Sequence, residues 1–323
     1  MAKVLLISLF FFNSFQSVFA TSKTLSVDMP NPNRRWTELH RDEAEAIKLL
    51  VEMLTVSKTG EKVIMKAQEK AREQSETLWD ILKGGDGPLT DTTLVRRFSP
   101  SRPDQMVYES KSKVFINRRL SIKDALLDMA HEMTHFAFRK PFNPYQDNFS
   151  AKQFVVSTVE GRGGEVDAFL VECKVLQELF PTDGKRNSHC DRVRDQKKKI
   201  LSKDVGVKEF YRIGKYIDDF HKQARELGIA KEDLSLVSDD DAMFISSAYS
   251  LPYPLAALYE YQSIMGRACQ NDSKRLAIMR ERSNLGSLGR SPASDSYGKL
   301  EKSYRSRCQL FDSTNLRASG LSH

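Results

Sequence analysis

Apolar residues recur at helical spacing along most of the chain, interrupted by one short stretch of strand-like alternation. Leu39, Ala44, Ile47, Leu50, Val51 and Leu54 form one stripe, which predicts a helix over Arg35–Leu54. Thr59-Gly60 separates it from a second predicted helix, Glu61–Leu82, stopped by Gly84-Gly85. A loop rich in Gly, Pro, Asp and Ser follows. Gln105–Glu109 and Lys113–Asn117 then read as two strands joined by Ser110-Lys111-Ser112, a β-hairpin. Ser121, three residues before Asp124, opens a helix to about Phe138. Further helices are predicted over Ala151–Phe180, Asp191–Leu201, Val207–Leu227, Asp239–Ser250 and Pro254–Ala268. The fold class expected is α+β, mainly α-helical, with a small antiparallel hairpin or sheet. The expected division is residues 21–90 as an N-terminal helical hairpin, 91–270 as the core, and 271–323 as a loose tail.

The first twenty residues depart from this pattern. Lys3, the apolar run Val4–Phe12 and the ending Val18-Phe19-Ala20 describe a signal peptide over 1–20, cut after Ala20. The expected location is therefore secreted or periplasmic, without a stable membrane anchor after cleavage. Four cysteines, none in a C-x-x-C pair, fit two disulfides in an oxidising compartment. Of the three possible pairings, Cys173–Cys190 with Cys269–Cys308 is favoured, because each closes a local loop. The 323 residues are 40% hydrophobic and carry a formal net charge of +7. The densest basic run, Arg192–Lys203 with Lys197-Lys198-Lys199, reads as a solvated helix face. No nucleic-acid motif accompanies it, so no nucleic-acid partner is expected.

The candidate chemistry lies on the Ser121–Phe138 helix. Ala130-His131-Glu132-Met133-Thr134-His135-Phe136 reads H-E-x-x-H. Two histidines four apart on a helix can reach one metal ion, and the glutamate between them can hold the attacking water without being a ligand. Ile122, Leu126, Met129, Ala130, Met133 and Ala137 gather on one side of the helix. Asp124, Asp128, His131 and His135 gather on the other, as cleft-facing ligands should. Zinc needs a third protein ligand, and the candidates are Glu160, Glu165 and Asp167. Glu165 is preferred because Gly161, Gly163, Gly164 and Ala168 thin the helix around it.

His131-Glu132-x-x-His135 followed by Glu165-x-Asp167-Ala168 resembles the gluzincin zinc metallopeptidases, and the hairpin–helix–helix order resembles the minigluzincin core. The likeness spans about Gln105 to Phe180. It implies Zn2+ held by His131, His135 and Glu165, with Glu132 as general base and a peptide or protein as substrate. The residue after the alanine, often aspartate in such families, is Phe169 here. The metzincin pattern is not met, because Phe136 onwards lacks a G-x-x-H. Tyr249, Tyr253 and His221 are nominees for stabilising the oxyanion. Two other readings stand beside the exported metallopeptidase: a non-catalytic helical envelope protein binding a partner or polymer, and a hydrolase of cell-wall peptides using the same zinc site.

Overall fold

The computed structural model describes residues 30–87, 89–99, 101–146, 149–285 and 292–311. The expected signal peptide lies outside them. Asp42 caps α1 (Glu43–Thr55), its carboxylate accepting from the backbone N–H groups of Ala44 and Glu45. The chain from Arg35 is instead a single 3-10 turn, Trp36–Glu38, whose indole is fully buried and donates to the Asn117 carbonyl at 2.8 Å. Ser57 caps α2 (Lys58–Glu73). This helix ends earlier than expected, at a left-handed Ser75 (φ 58°), and is followed by the short α3 (Leu78–Ile81) and β1 (Leu82–Gly85). Gly84-Gly85 thus belongs to a strand.

The sheet corrects the expected hairpin. β2 (Leu89–Ser99) pairs antiparallel with the single long strand β3 (Arg102–Asn117), and β1 pairs parallel on the other edge, in the order β1-β3-β2. Ser110, Lys111 and Ser112 sit inside β3, opposite Leu94, Thr93 and Thr92, and the turn lies at Ser99–Arg102. The β-branched run Thr90 to Val95 supplies the partner strand that was expected to be loop.

Ser121 caps α4 (Ile122–Phe138) as expected, accepting from Asp124 N at 3.1 Å. The predicted Ala151–Phe180 helix is two: α5 (Ala151–Val159) and α6 (Glu165–Leu179). Gly163 at φ +69° turns the chain between them and Gly164 is the N-cap of α6. The short α7 (Pro181–Gly184) and α8 (Ser188–Arg192) follow. The predicted Asp191–Leu201 helix gives way to a two-stranded hairpin, β4 (Arg194–Asp195) and β5 (Ile200–Leu201). Asp195 Oδ1 accepts from the backbones of Lys197 and Lys198, at 2.9 and 3.0 Å, so the lysine run forms a turn rather than a helix face.

Gly214 (φ +55°) splits the predicted Val207–Leu227 helix into α9 (Lys203–Phe210) and α10 (Ile217–Glu226). Asp239–Ser250 is irregular rather than helical, closed by an Ile245–Pro252 bridge. α11 (Tyr253–Leu285) runs well past the expected Ala268, and α12 (Pro292–Cys308) packs beside it. The described part of the expected loose tail is therefore mostly helix. Both disulfides pair as expected: Cys173–Cys190 ties α6 to α8, and Cys269–Cys308 ties α11 to α12. The buried Arg307–Asp272 ion pair (2.6 Å) reinforces the second tie.

α1, α2, α4 and α6 share a continuous core through Leu50, Leu54, Leu126, Met129 and Met133. An aromatic cluster of Phe169, Phe210, Phe244 and Tyr253, with Phe210 stacked on Phe244 at 4.2 Å, anchors the start of α11 against α6 and α9. No described helix is long and apolar enough to cross a membrane.

Candidate metal centre

One turn of α4 separates His131 from His135, and their ring centroids lie 4.9 Å apart. The first residue of α6 completes the group. Glu165 Oε2 is 3.4 Å from His131 Nε2 and 3.4 Å from His135 Nε2. One ligand atom from each of the three residues falls within 4.8 Å of the others, so the group could hold a metal ion. Gly163 sets this meeting. A Cβ there would lie 2.5 Å from Arg139 N and 2.8 Å from Phe138 C, so only glycine lets the α5–α6 turn press against the end of α4. Its carbonyl oxygen accepts from His135 Nδ1 at 2.8 Å.

That hydrogen bond fixes the imidazole chemistry. A carbonyl only accepts, so His135 Nδ1 carries the proton and a neutral ring offers its Nε2 lone pair to the centre. His131 is held in the same sense, with Nδ1 3.3 Å from Glu172 Oε2. Two imidazole nitrogens and one carboxylate oxygen directed at one point form a donor set suited to zinc. The local charge agrees. Burial alone would weaken the acidity of Glu165, yet the His135 and His131 rings hold its carboxyl well below the usual range. Burial likewise disfavours a charged His131, but hydrogen bonds to Glu165 and Glu172 outweigh it and raise its basicity well above the ordinary value. The cluster therefore favours positive charge at its centre, whether protons or a cation.

Glu132 is buried beside the group. Its Oε2 lies 2.6 Å from the Thr90 hydroxyl, which is also 2.9 Å from the Glu132 carbonyl oxygen. Asp128, one turn earlier, is pushed up to about 8, first by burial and then by the Glu132 charge. Among the described residues its Oδ2 has no hydrogen-bond partner. A cleft of about 480 Å³ opens over the histidines and Glu132. Its other walls are Thr90 of β2, the Ser246–Tyr249 segment, and an α11 face bearing Tyr253, Ala256, Ala257 and Glu260. Burial, followed by the fields of Glu165, Glu132 and Glu172, raises the Tyr253 phenol well above its ordinary value and keeps it protonated. Burial also raises Glu260 above the usual carboxylate range.

Of the residues nominated from sequence, His131, His135, Glu132, Glu165, Tyr249 and Tyr253 meet at this cleft. Glu160 does not: its Oε1 accepts from the Tyr211 hydroxyl at 3.1 Å. Asp167 instead accepts from Gly163 N (3.0 Å) and pairs with Lys203 (2.7 Å). His221 lies on α10 against Phe220, away from the cleft lining. Phe169 belongs to the aromatic cluster, and Glu172, one turn beyond it, is the carboxylate that meets His131. Sequence reasoning assigned no role to Glu172, Thr90, Arg139 or Glu260. Glu172 was within reach, since it shares the helical stripe of Glu165 seven positions on. Thr90 sat in a segment expected to be loop and offered no signal. Comparison of the chain with protein-family models, curated proteins and solved structures finds no match.

Proposed function

We propose that this chain is an exported zinc-dependent hydrolase that cleaves peptide bonds, with His131, His135 and Glu165 as ligands and Glu132 as general base. The observation that carries the reading is the convergence of His131 Nε2, His135 Nε2 and Glu165 Oε2 in a cleft that Glu132 also lines. Zinc, when bound, supplies the Lewis acidity that brings the pKa of a water from about 15.7 towards 7. Glu132 accepts the proton of the attacking water as its oxygen adds to the scissile carbonyl carbon. It then delivers that proton to the leaving nitrogen as the C–N bond breaks. The Thr90 hydroxyl, 2.6 Å from Oε2, keeps the carboxylate facing the cleft. Tyr253, which lines the same cleft, donates its hydroxyl to the substrate oxygen as negative charge develops there.

Glu132→Gln tests this assignment by separating chemistry from metal binding. The variant is expected to keep its zinc and lose most hydrolysis of a peptide library, because a carboxamide takes no proton from water. A Glu132→Gln protein as active as the wild type refutes the mechanism. Export, supported by the N-terminal pattern and the two disulfides, predicts a mature chain beginning at Thr21, readable by N-terminal sequencing of the protein recovered outside the cytoplasm.

A further inference from the structure

α11 brings more than Tyr253 to the cleft. Tyr253, Ala256, Ala257 and Glu260 are spaced i, i+3, i+4 and i+7, so they form one face, and all four line the cavity. The two alanines leave room between the aromatic and the acid. Glu260 is half-buried, yet it takes no hydrogen bond and enters no ion pair among the described residues. A half-buried carboxylate with no partner costs free energy that a bound cation returns. Arg139, whose field reaches Glu260, does not serve as that partner. Its Nη2 is instead tethered to the Thr158 hydroxyl at 2.7 Å.

We propose that Glu260 is a recognition carboxylate that takes a basic group of the substrate, an ammonium or a guanidinium, beside the metal centre. The inference rests on the hydrolytic reading of the same cleft and adds the substrate's charge to it. Seven helical positions separate Glu260 from Tyr253, about 10 Å along the axis. That is the span of about three extended residues, so the recognised group belongs to a residue flanking the cleaved bond. The opposite assignment, Arg139 reading an acidic group, is disfavoured by the cleft itself. An anion beside Arg139 would share the cleft with the unpartnered Glu260 carboxylate, whose charge interacts with Arg139.

The test is a binding measurement, so that its result does not depend on turnover. Short alanine peptides, N-acetylated and C-amidated, carry one lysine, arginine, norleucine or glutamate at each position in turn. A further neutral peptide has its terminal amine free. Their affinities are measured by calorimetry on zinc-loaded full-length Glu132→Gln protein, with and without Glu260→Gln. A lysine or arginine peptide, or the free-amine peptide, is expected to bind about tenfold or more tightly than its norleucine or acetylated counterpart. The side-chain arms and the free-amine arm distinguish the two sources of the charge. Glu260→Gln is expected to abolish the difference without changing zinc content or lowering the unfolding temperature. Equal binding of lysine and norleucine peptides, discrimination that survives Glu260→Gln, a glutamate preference lost in Arg139→Gln, or no binding of any peptide overturns the proposal. Selective binding by a wild-type protein that hydrolyses nothing would instead overturn the peptidase reading and leave this one standing.

Discussion

Gly163→Ala perturbs the backbone turn that brings Glu165 to the histidines, and its cost follows from two features. Gly163 has φ +69°, and an alanine in the left-handed region costs about 1–2 kcal/mol. The new Cβ would stand 2.5 Å from Arg139 N and 2.8 Å from Phe138 C, which are backbone atoms that cannot rotate away. Relief requires moving the 160–164 turn off the end of α4, comparable to overpacking a core at about 1–3 kcal/mol. Alanine returns about 0.5 kcal/mol by restricting the unfolded chain, leaving a net loss of about 2–4 kcal/mol. The same movement withdraws the Gly163 carbonyl from His135 Nδ1, now at 2.8 Å. Loss of such an outer hydrogen bond weakens metal binding by about 10–100-fold. Equilibrium urea unfolding followed by circular dichroism, in chelator and with the disulfides intact, measures the first effect. Competition with a zinc indicator measures the second. Gly266→Ala is the control: it lies within α11, an added Cβ there meets nothing within 4 Å, and a gain of up to about 1 kcal/mol is expected. A Gly163→Ala protein within about 0.5 kcal/mol of wild type, with undiminished zinc affinity, refutes the account of the turn.

Three further outcomes follow from the same geometry. Glu172→Gln removes the charged partner of His131 Nδ1, and zinc affinity is expected to fall about 10–100-fold in chelator competition. Tyr253→Phe is expected to lower kcat by about 10²–10³-fold while zinc content stays the same, read from peptide turnover beside elemental analysis. In metal-free protein Asp128 keeps its proton to about pH 8 when folded and loses it near pH 4 when unfolded, so stability falls as pH rises across that window. Asp128→Asn is expected to remove up to about 1.4 kcal/mol per pH unit from that decline, measured by urea unfolding in chelator at pH 5 and pH 7.

What the sequence made legible is what local chemistry decides. α4 announces itself by the Ser121 cap and a helical apolar stripe, and the two histidines follow from their spacing alone. Each disulfide closes a loop between neighbouring elements, and proximity along the chain was enough to pair them. Long-range pairing was not legible. β3 carries serines and lysines through its middle because its partner is β2, and that pairing is what aligns Thr90 with Glu132. From sequence the Gly163-Gly164 pair reads as part of a helix, since only the contact with the end of α4 shows why a turn is needed. α11 beyond Ala268 is a polar helix with little amphipathic signal, held by the Cys269–Cys308 bridge and the Arg307–Asp272 pair. Its cleft-facing Glu260 becomes visible only once the helix is docked.

The most direct test of the central claim is elemental analysis of purified protein, loaded with zinc and dialysed against metal-free buffer. The account predicts one zinc per chain, retained in Glu132→Gln and lost in His131→Ala. No bound zinc in the wild type after loading, or equal zinc in His131→Ala, contradicts it.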